Sequence, residues 1–284
     1  MKHYLLPILI LFVSFSSCKN EQQTKSQNLN IMTYNIRLDV ASDGENAWTN
    51  RKEFLSSQVL FYSPDILGVQ EARPNQMTDL KDALKDYKAI GIGRDGDNKG
   101  EYSAIFYNVK KVSVAQENTF WLSETPDTVS KGWDAAFPRI CTYGLFTVLE
   151  NNQKIWVFNT HLDHVGNEAQ LQGMQLILKK IATLNTDDFP VIVMGDFNVE
   201  PTSELITNLK QTLNDSKEKT KIYFGPNGTL NGFKFNELVT RRIDYVMVSK
   251  SSKVEVEKYG VLSSSIDLKY PSDHFPVLVE LTLK

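Results

Sequence analysis

The chain is predicted to be an α/β protein in which two mixed or mostly antiparallel sheets pack face to face, with helices on the outsides. Three observations predict this. Between Tyr87 and Leu162 strand-like runs follow one another without helices between them, which favours antiparallel pairing and is incompatible with a doubly wound single sheet. Only about four substantial helical patterns stand against a larger number of strand candidates. No internal repeat or linker divides the 284 residues, and 41% hydrophobic with 23% charged residues is ordinary globular composition, so one domain with a sizeable core is expected.

The elements follow in order. Leu29 to Arg37 reads as a strand with Asn35 near its end, followed by a polar loop and a helix from about Asn50 to Tyr62. Ser63-Pro64-Asp65 is a turn signal. The buried strand Ile66-Leu67-Gly68-Val69 then delivers Gln70-Glu71, and Pro74 to Leu84 has the pattern of a short helix. Strand candidates at Tyr87 to Gly93, Tyr102 to Asn108 and Lys111 to Leu122 flank a Gly- and Asp-rich loop, Gly93 to Gly100. An irregular stretch from Ser123 to Pro138 precedes strands at Ile140 to Glu150 and Lys154 to Leu162. Glu168 to Leu184 carries Leu171, Met174, Leu178 and Ile181 at helical spacing. A strand at Val191 to Met194, a helix at Ser203 to Lys210, a loop-rich region to Phe235 and strands at Arg242 to Ser249, Val254 to Leu262 and Phe275 to Leu283 complete the pattern.

The most informative stretch is Val191-Ile192-Val193-Met194-Gly195-Asp196-Phe197-Asn198. Four apolar residues stop at a glycine and present a carboxylate and a carboxamide two positions apart, on one face of an extended segment. Strand C-terminal ends are where α/β proteins tend to keep their chemistry. Asp and Asn are also ordinary turn formers. Matching chemistry at Tyr34-Asn35, Gln70-Glu71, Asn159-Thr160-His161 and Ser272-Asp273-His274 tips the balance towards a site. Glu71, Asn35 and Asp273 are oxygen donors suited to a hard divalent cation such as Mg²⁺. His161 and His274 exchange protons near neutral pH, and Asp244 is a candidate to orient His274. A zinc site would gather the histidines on one ion with few amides, which fits this set less well.

Lys2, the apolar run Leu5 to Val13 and the small residues Ser14 to Cys18 resemble a bacterial lipoprotein signal peptide, although Phe15 stands where leucine is usual. The resemblance implies a signal over 1–17, a lipid on Cys18, a tether over 18–28 and a catalytic domain over 29–284. It also implies membrane attachment through the lipid alone and a place in the cell envelope. With Cys18 modified only Cys141 is left, so packing rather than disulfides must hold the core. The net charge of −3 becomes −4 once Lys2 is removed, and no basic run follows, which argues against a dedicated nucleic-acid binder.

Taken in order, Thr33-Tyr34-Asn35, Gln70-Glu71, Asn159-Thr160-His161-Leu162, Gly195-Asp196-Phe197-Asn198, Ile243-Asp244-Tyr245 and Ser272-Asp273-His274 resemble the motif series of the endonuclease/exonuclease/phosphatase superfamily. The match runs from about Leu29 to Leu283. It implies a four-layered αββα sandwich and a Mg²⁺-dependent phosphoesterase, with Mn²⁺ as the other candidate ion. The implied metal ligands are Glu71, Asn35 and Asp273. Asp196 would position or deprotonate the attacking water, Asn198 would donate to phosphoryl oxygens, His161 would stabilise the pentacovalent state, and His274 would pair with Asp244. Gly132 to Arg139 and Asp163-His164-Val165-Gly166 resemble a bacterial, often exported subgroup.

The substrate expected first is a phosphodiester from nucleic acid, lipid headgroup or phosphorylated sugar, hydrolysed by a monomer. A phosphomonoesterase of the inositol-polyphosphate type is the enzyme alternative, and a non-catalytic envelope binding protein the alternative of another class. Arg139 either contacts a substrate phosphate or pairs with a carboxylate. Trp133 and Trp48 either wall the cleft or pack over a core edge. Asp163 and His164 either extend the site or cap the following turn.

Overall fold

The structure, a computed structural model, describes residues 28–284 together with Met1 and His3. The expected signal peptide, Cys18 and the tether up to residue 27 lie outside the described residues. In chain order, β1 (Asn28–Asn35) leads through a 3-10 turn (Ala41–Asn46) to α1 (Trp48–Tyr62), β2 (Ile66–Gln70), α2 (Pro74–Ala83), β3 (Tyr87–Ile90) and β4 (Ile105–Asn108). Then come β5 (Val112–Trp121), β6 (Ile140–Val148), β7 (Lys154–His161), α3 (Asn167–Leu184), β8 (Val191–Asp196) and α4 (Glu204–Thr212). The chain continues with β9 (Leu213–Asp215), α5 (Ser216–Lys219), β10 (Ile222–Phe224), β11 (Asp244–Ser249), β12 (Val254–Val261) and β13 (Val277–Leu283).

The strands form a seven-stranded sheet, β10-β12-β13-β1-β2-β4-β3, and a six-stranded sheet, β5-β6-β7-β8-β11-β9. Both sheets are mixed, and helices flank the pair, as expected of the sandwich. Apolar side chains divide into three layers that define the four structural ones. Ile31, Ile66, Val157, Met194, Val246 and Val279 fill the space between the sheets. Met32, Leu67 and Phe106 pack under α1 through Leu55 and Val59 and under α2 through Leu80. Trp156, Phe158 and Val193 pack under α3 through Met174 and Ile177 and under α4 through Leu205 and Leu209. Alternation along each strand sends neighbours to opposite faces, and both faces are covered, so the central strands read as continuous apolar runs.

The pairing also places the site. β1 and β2 are parallel with α1 as their crossover, in the register Asn35↔Gln70. β7 and β8 repeat that unit in the other sheet with α3 as crossover, in the register His161↔Asp196. Parallel strands end together, so each unit brings its C-terminal polar residues to one edge. β11 and β13 run antiparallel to β8 and β1 and begin where those strands end, which adds Asp244, opposite Asp196, and the Ser272-Asp273-His274 loop.

The sheets meet across a polar bridge. Asn159 donates to Val69 O at 3.0 Å and Ala104 O at 2.8 Å, and its Oδ1 accepts from Gln70 Nε2 at 2.7 Å. Gly68 makes the approach feasible, because a Cβ there would lie 2.6 Å from Met194 Cε and 2.7 Å from Asn159 Oδ1. Asn159→Ala leaves the buried Gln70 amide with Thr33 Oγ1 alone, deprives the Val69 and Ala104 carbonyls of a donor and leaves a void between the sheets. The expected loss of stability is about 2–4 kcal/mol, read as a lower urea midpoint at unchanged m-value.

Some expectations need correction. The region from Ser203 to Phe235 is not only helix and loop: it holds β9, α5 and β10. The two strands are three residues each, at the outer ends of the two sheets, too short to show a period. Trp48 does not wall a cleft; it is 1% exposed in the core beneath α1, and its Nε1 donates to Asp79 Oδ2 at 2.7 Å.

Candidate active site

Of the polar residues delivered to the common edge, Glu71, His161, Asp196, Asn198, Asp273 and His274 line one cavity of about 470 Å³, and Asn35 and Asp244 hydrogen-bond to that lining. Asp196 is part of that lining and almost fully buried. Its Oδ1 accepts from Asn198 N at 2.9 Å and its Oδ2 from Asn35 Nδ2 at 3.0 Å, while His161 Nε2 and His274 Nε2 stand 3.6 and 3.8 Å from Oδ2. Gly195, at φ +141°, is required at this strand end because a Cβ would strike the carbonyl of Thr160. Burial, with Asp244 as the nearest like charge, pushes the Asp196 carboxyl up to about 7 against the lowering by His274 and Asn35.

His274 Nδ1 and Asp244 Oδ2 are 2.9 Å apart. Burial alone would lower the imidazole's pKa. The carboxylates of Asp244, Asp196 and Asp273 outweigh it and hold the pKa well above the ordinary value. His161 is the opposite case: burial, then the cations Arg139 and His274, hold its pKa well below the ordinary value. Two histidines in one cavity are thereby separated into a charged and a neutral one, and their surroundings make the assignment.

Glu71 follows β2 at φ +65°, a left-handed conformation that aims its carboxylate at the cavity. Its Oε1 accepts from Asn35 Nδ2 and its Oε2 from Leu38 N, both at 3.0 Å. Asp273 shares the cavity; burial raises its pKa against His274, and the charge of Glu71 raises it further. Two carboxylates that repel in a half-buried cavity are an oxygen-rich donor set for a hard divalent cation, so Glu71 and Asp273 fit one. Asn35 spans Glu71 and Asp196 through its NH₂ group, and its Oδ1 accepts from Arg37 N at 3.0 Å. In this arrangement its oxygen is already engaged, so ligation through it requires the amide to turn over. The potential ligand atoms of Asp196, Asp244 and His274 also lie within 4.8 Å of one another. There, a protonated His274 already serves as the cation between two acids.

Other residues take places that differ from the sequence expectation. Asn198, at φ +55°, donates from Nδ2 to Leu162 O at 3.0 Å and to His161 Nε2 at 2.9 Å. An NH₂ group only donates, so Nε2 of His161 accepts and its proton sits on Nδ1. Asn198 here orients His161, and its amide hydrogens are not free for phosphoryl oxygens. Arg139 is paired, through Nε to Asp163 Oδ2 at 3.2 Å and through Nη2 to His164 Nδ1 at 3.0 Å, and it also lines the cavity. Asp163 caps the turn into α3 by accepting from Val165 N and Gly166 N at 3.0 and 2.9 Å. Trp133 is half-buried, outside the cavity lining, and its backbone N–H donates to Glu124; the aromatic residue in the lining is Phe137.

Sequence reasoning missed four arginines: Arg37, Arg73, Arg94 and Arg241 line the cavity with Arg139. Arg37 stands two residues after Asn35, and that adjacency was a usable signal. Arg94 belongs to the Gly-rich loop, Arg73 to the turn before α2 and Arg241 to an irregular segment, where no pattern predicts side-chain direction.

A two-sheet sandwich thus gathers acids, amides and two histidines of opposite pKa shift at one strand edge, with arginines around them, a setting suited to an anionic ligand. A family model described as the endonuclease/exonuclease/phosphatase family matches residues 32–274, and the chain belongs to that family. A crystal structure of a family member from Bacteroides thetaiotaomicron is 38% identical, with a TM-score of 0.86 over 92% of this chain and 99% of that one. A mannosyl-6-phosphatase of Bacteroides thetaiotaomicron VPI-5482 is 40% identical, with a TM-score of 0.85 over 89% and 99%. Among curated sequences, an uncharacterized protein of Acanthamoeba polyphaga mimivirus is 29% identical over 161 residues, 54% of this chain and 60% of its own length. The 3′–5′ exoribonuclease subunit Ccr4 of the Candida albicans CCR4-Not complex is 25% identical over 299 residues, and this chain spans 84% of its own length but 38% of that subunit. The family's homologues thus include nucleases and phosphatases.

Proposed function

We propose that the protein is a divalent-cation-dependent phosphatase acting on a phosphomonoester of a small alcohol. The observation that carries this reading is the arginine-lined cavity, with Arg37, Arg73, Arg94, Arg139 and Arg241 around the acids in about 470 Å³. A monoester is a dianion and needs more positive charge at the phosphoryl group than a diester monoanion does. The likeness to a mannosyl-6-phosphatase supports a phosphorylated sugar as substrate. The diester expected first from the sequence is the second reading, supported by exoribonuclease relatives that are more distant.

In this reading Glu71 and Asp273 hold the cation, Mg²⁺ or Mn²⁺, which supplies positive charge for the oxygens that gain charge. Asp196, at a pKa of about 7, takes the proton of the attacking water. His274, charged and backed by Asp244, presents Nε2–H to the phosphoryl group. His161, oriented by Asn198, lines the same wall as a neutral group.

The test is a panel with Mg²⁺ and then with chelator: mannose 6-phosphate, nitrophenyl phosphate, bis-nitrophenyl phosphate, RNA and plasmid DNA. Cation-dependent release of phosphate from the monoesters, at least about tenfold faster than diester cleavage, is expected; each tenfold corresponds to ~1.4 kcal/mol of barrier. Faster cleavage of the diester or of RNA gives the second reading, and turnover undiminished by chelator removes the cation from the mechanism.

A further inference from the structure

Beside the phosphoryl cavity lies a second, polar recess of about 300 Å³, lined by Arg73, Pro74, Arg94, Asp95, Gly100 and Glu101. Arg73, Arg94 and Glu101 also line the main cavity, so the two spaces share a wall. That wall is rigid. Arg94 and Glu101 pair through both guanidinium nitrogens, Nη1 to Oε2 at 2.9 Å and Nη2 to Oε1 at 2.7 Å, and both side chains are mostly buried. The backbone closes the loop beneath them, with Arg94 N donating to Glu101 O at 2.9 Å and Gly93 N to Asp97 O at 2.8 Å. Arg94 Nε is buried and has no hydrogen-bond partner among the described residues.

Phe137 completes the wall. Its ring faces the main cavity and is 47% exposed, with the Arg94 guanidinium 4.9 Å from its centroid and the His164 ring stacked at 6.0 Å and 15°. With those two side chains against its faces, the ring offers its exposed edge to the cavity, an apolar contact for the C–H groups of a ligand. The charge of the recess is balanced, Arg73 and Arg94 against Asp95 and Glu101. A second phosphate would meet two carboxylates there. Vicinal hydroxyls suit it better, since they donate to carboxylates and accept from guanidinium groups.

We propose that Arg94, Glu101 and Phe137 form the leaving-group subsite, which takes the uncharged, polyhydroxylated ring of a sugar phosphate. Glu101 and Arg94 bind the ring hydroxyls, and the exposed edge of Phe137 packs against its C–H groups. The inference rests on the phosphomonoesterase reading for its reaction, and binding tests it independently of turnover.

The experiment is calorimetric binding to Asp196→Asn protein in Mg²⁺, with mannose 6-phosphate, glycerol 3-phosphate and fructose 1,6-bisphosphate as ligands. The hexose monophosphate is expected to bind about tenfold or more tighter than glycerol 3-phosphate, ~1.4 kcal/mol. Glu101→Gln should erase most of that margin with little effect on glycerol 3-phosphate. Phe137→Ala, in which the truncated side chain is half exposed and the fold is spared, should do the same. Equal binding of all three ligands, tighter binding of the bisphosphate, no binding of any, or a uniform loss across ligands in both variants would overturn the subsite. A preference for the hexose ester that vanishes in the variants, in a protein whose wild type cleaves only diesters, would leave the subsite standing and sink the phosphatase reading instead.

Discussion

Glu71→Gln is expected to lower kcat/KM by about three orders of magnitude with the fold intact, ~4 kcal/mol of transition-state stabilisation. The change keeps the shape and volume of the side chain and removes only its charge. Oε2 accepts from Leu38 N at 3.0 Å, and a glutamine oxygen can accept that bond. The Asn35 NH₂ loses its bond to Oε1, where the glutamine NH₂ also donates, but keeps Asp196 as a partner at 3.0 Å. What is lost is one of the two carboxylates that repel across the cavity and draw a cation between them. Titration with Mg²⁺ or Mn²⁺ should show weaker binding in parallel with the lost rate, and circular dichroism should be unchanged. Normal turnover and unchanged cation affinity in a folded variant would remove Glu71 from the ligand set.

The second large effect belongs to Asp244 and His274. His274→Ala is expected to cost about 10³-fold in kcat/KM and Asp244→Asn about 10²-fold, the range for removing a donor aimed at oxygens that gain charge. The double variant should be little worse than His274→Ala alone, because the two side chains, 2.9 Å apart, act as one unit. The sign of the pH effect follows from the cause of the shift. Asp244 is the largest influence that holds the His274 pKa up, so Asp244→Asn lets it fall. The limb of the pH–rate profile that reports loss of the imidazolium proton should then move to lower pH. Additive losses, with that limb unmoved, would make Asp244 a structural strand residue.

The sandwich and the strand-end residues were legible in the sequence because strand pattern and chemistry coincide there. Met194 ends an apolar run and Asp196 follows; the run from Lys154 ends in His161; Ile66 to Val69 ends in Gln70-Glu71. A strand that is buried on both faces advertises itself by its apolar run, and its last residue must emerge at the sheet edge whatever the rest of the chain does. The parallel pairs β1–β2 and β7–β8 then bring these ends together.

Side-chain direction was decided only by the tertiary structure. Whether Asn198 faces a phosphoryl oxygen or His161 depends on where β7 ends, 37 positions earlier in the chain. Trp133 and Phe137 are four residues apart in one irregular stretch, and contacts from Arg94 and His164 place Phe137 at the cavity. Arg73, Arg94 and Arg241 come from three unrelated loops and converge on the same space. The physical reason is that a sequence pattern encodes which backbone is buried and where it must emerge. The aim of a loop side chain is set instead by partners from distant segments, and these become neighbours only when both sheets have closed on their shared core.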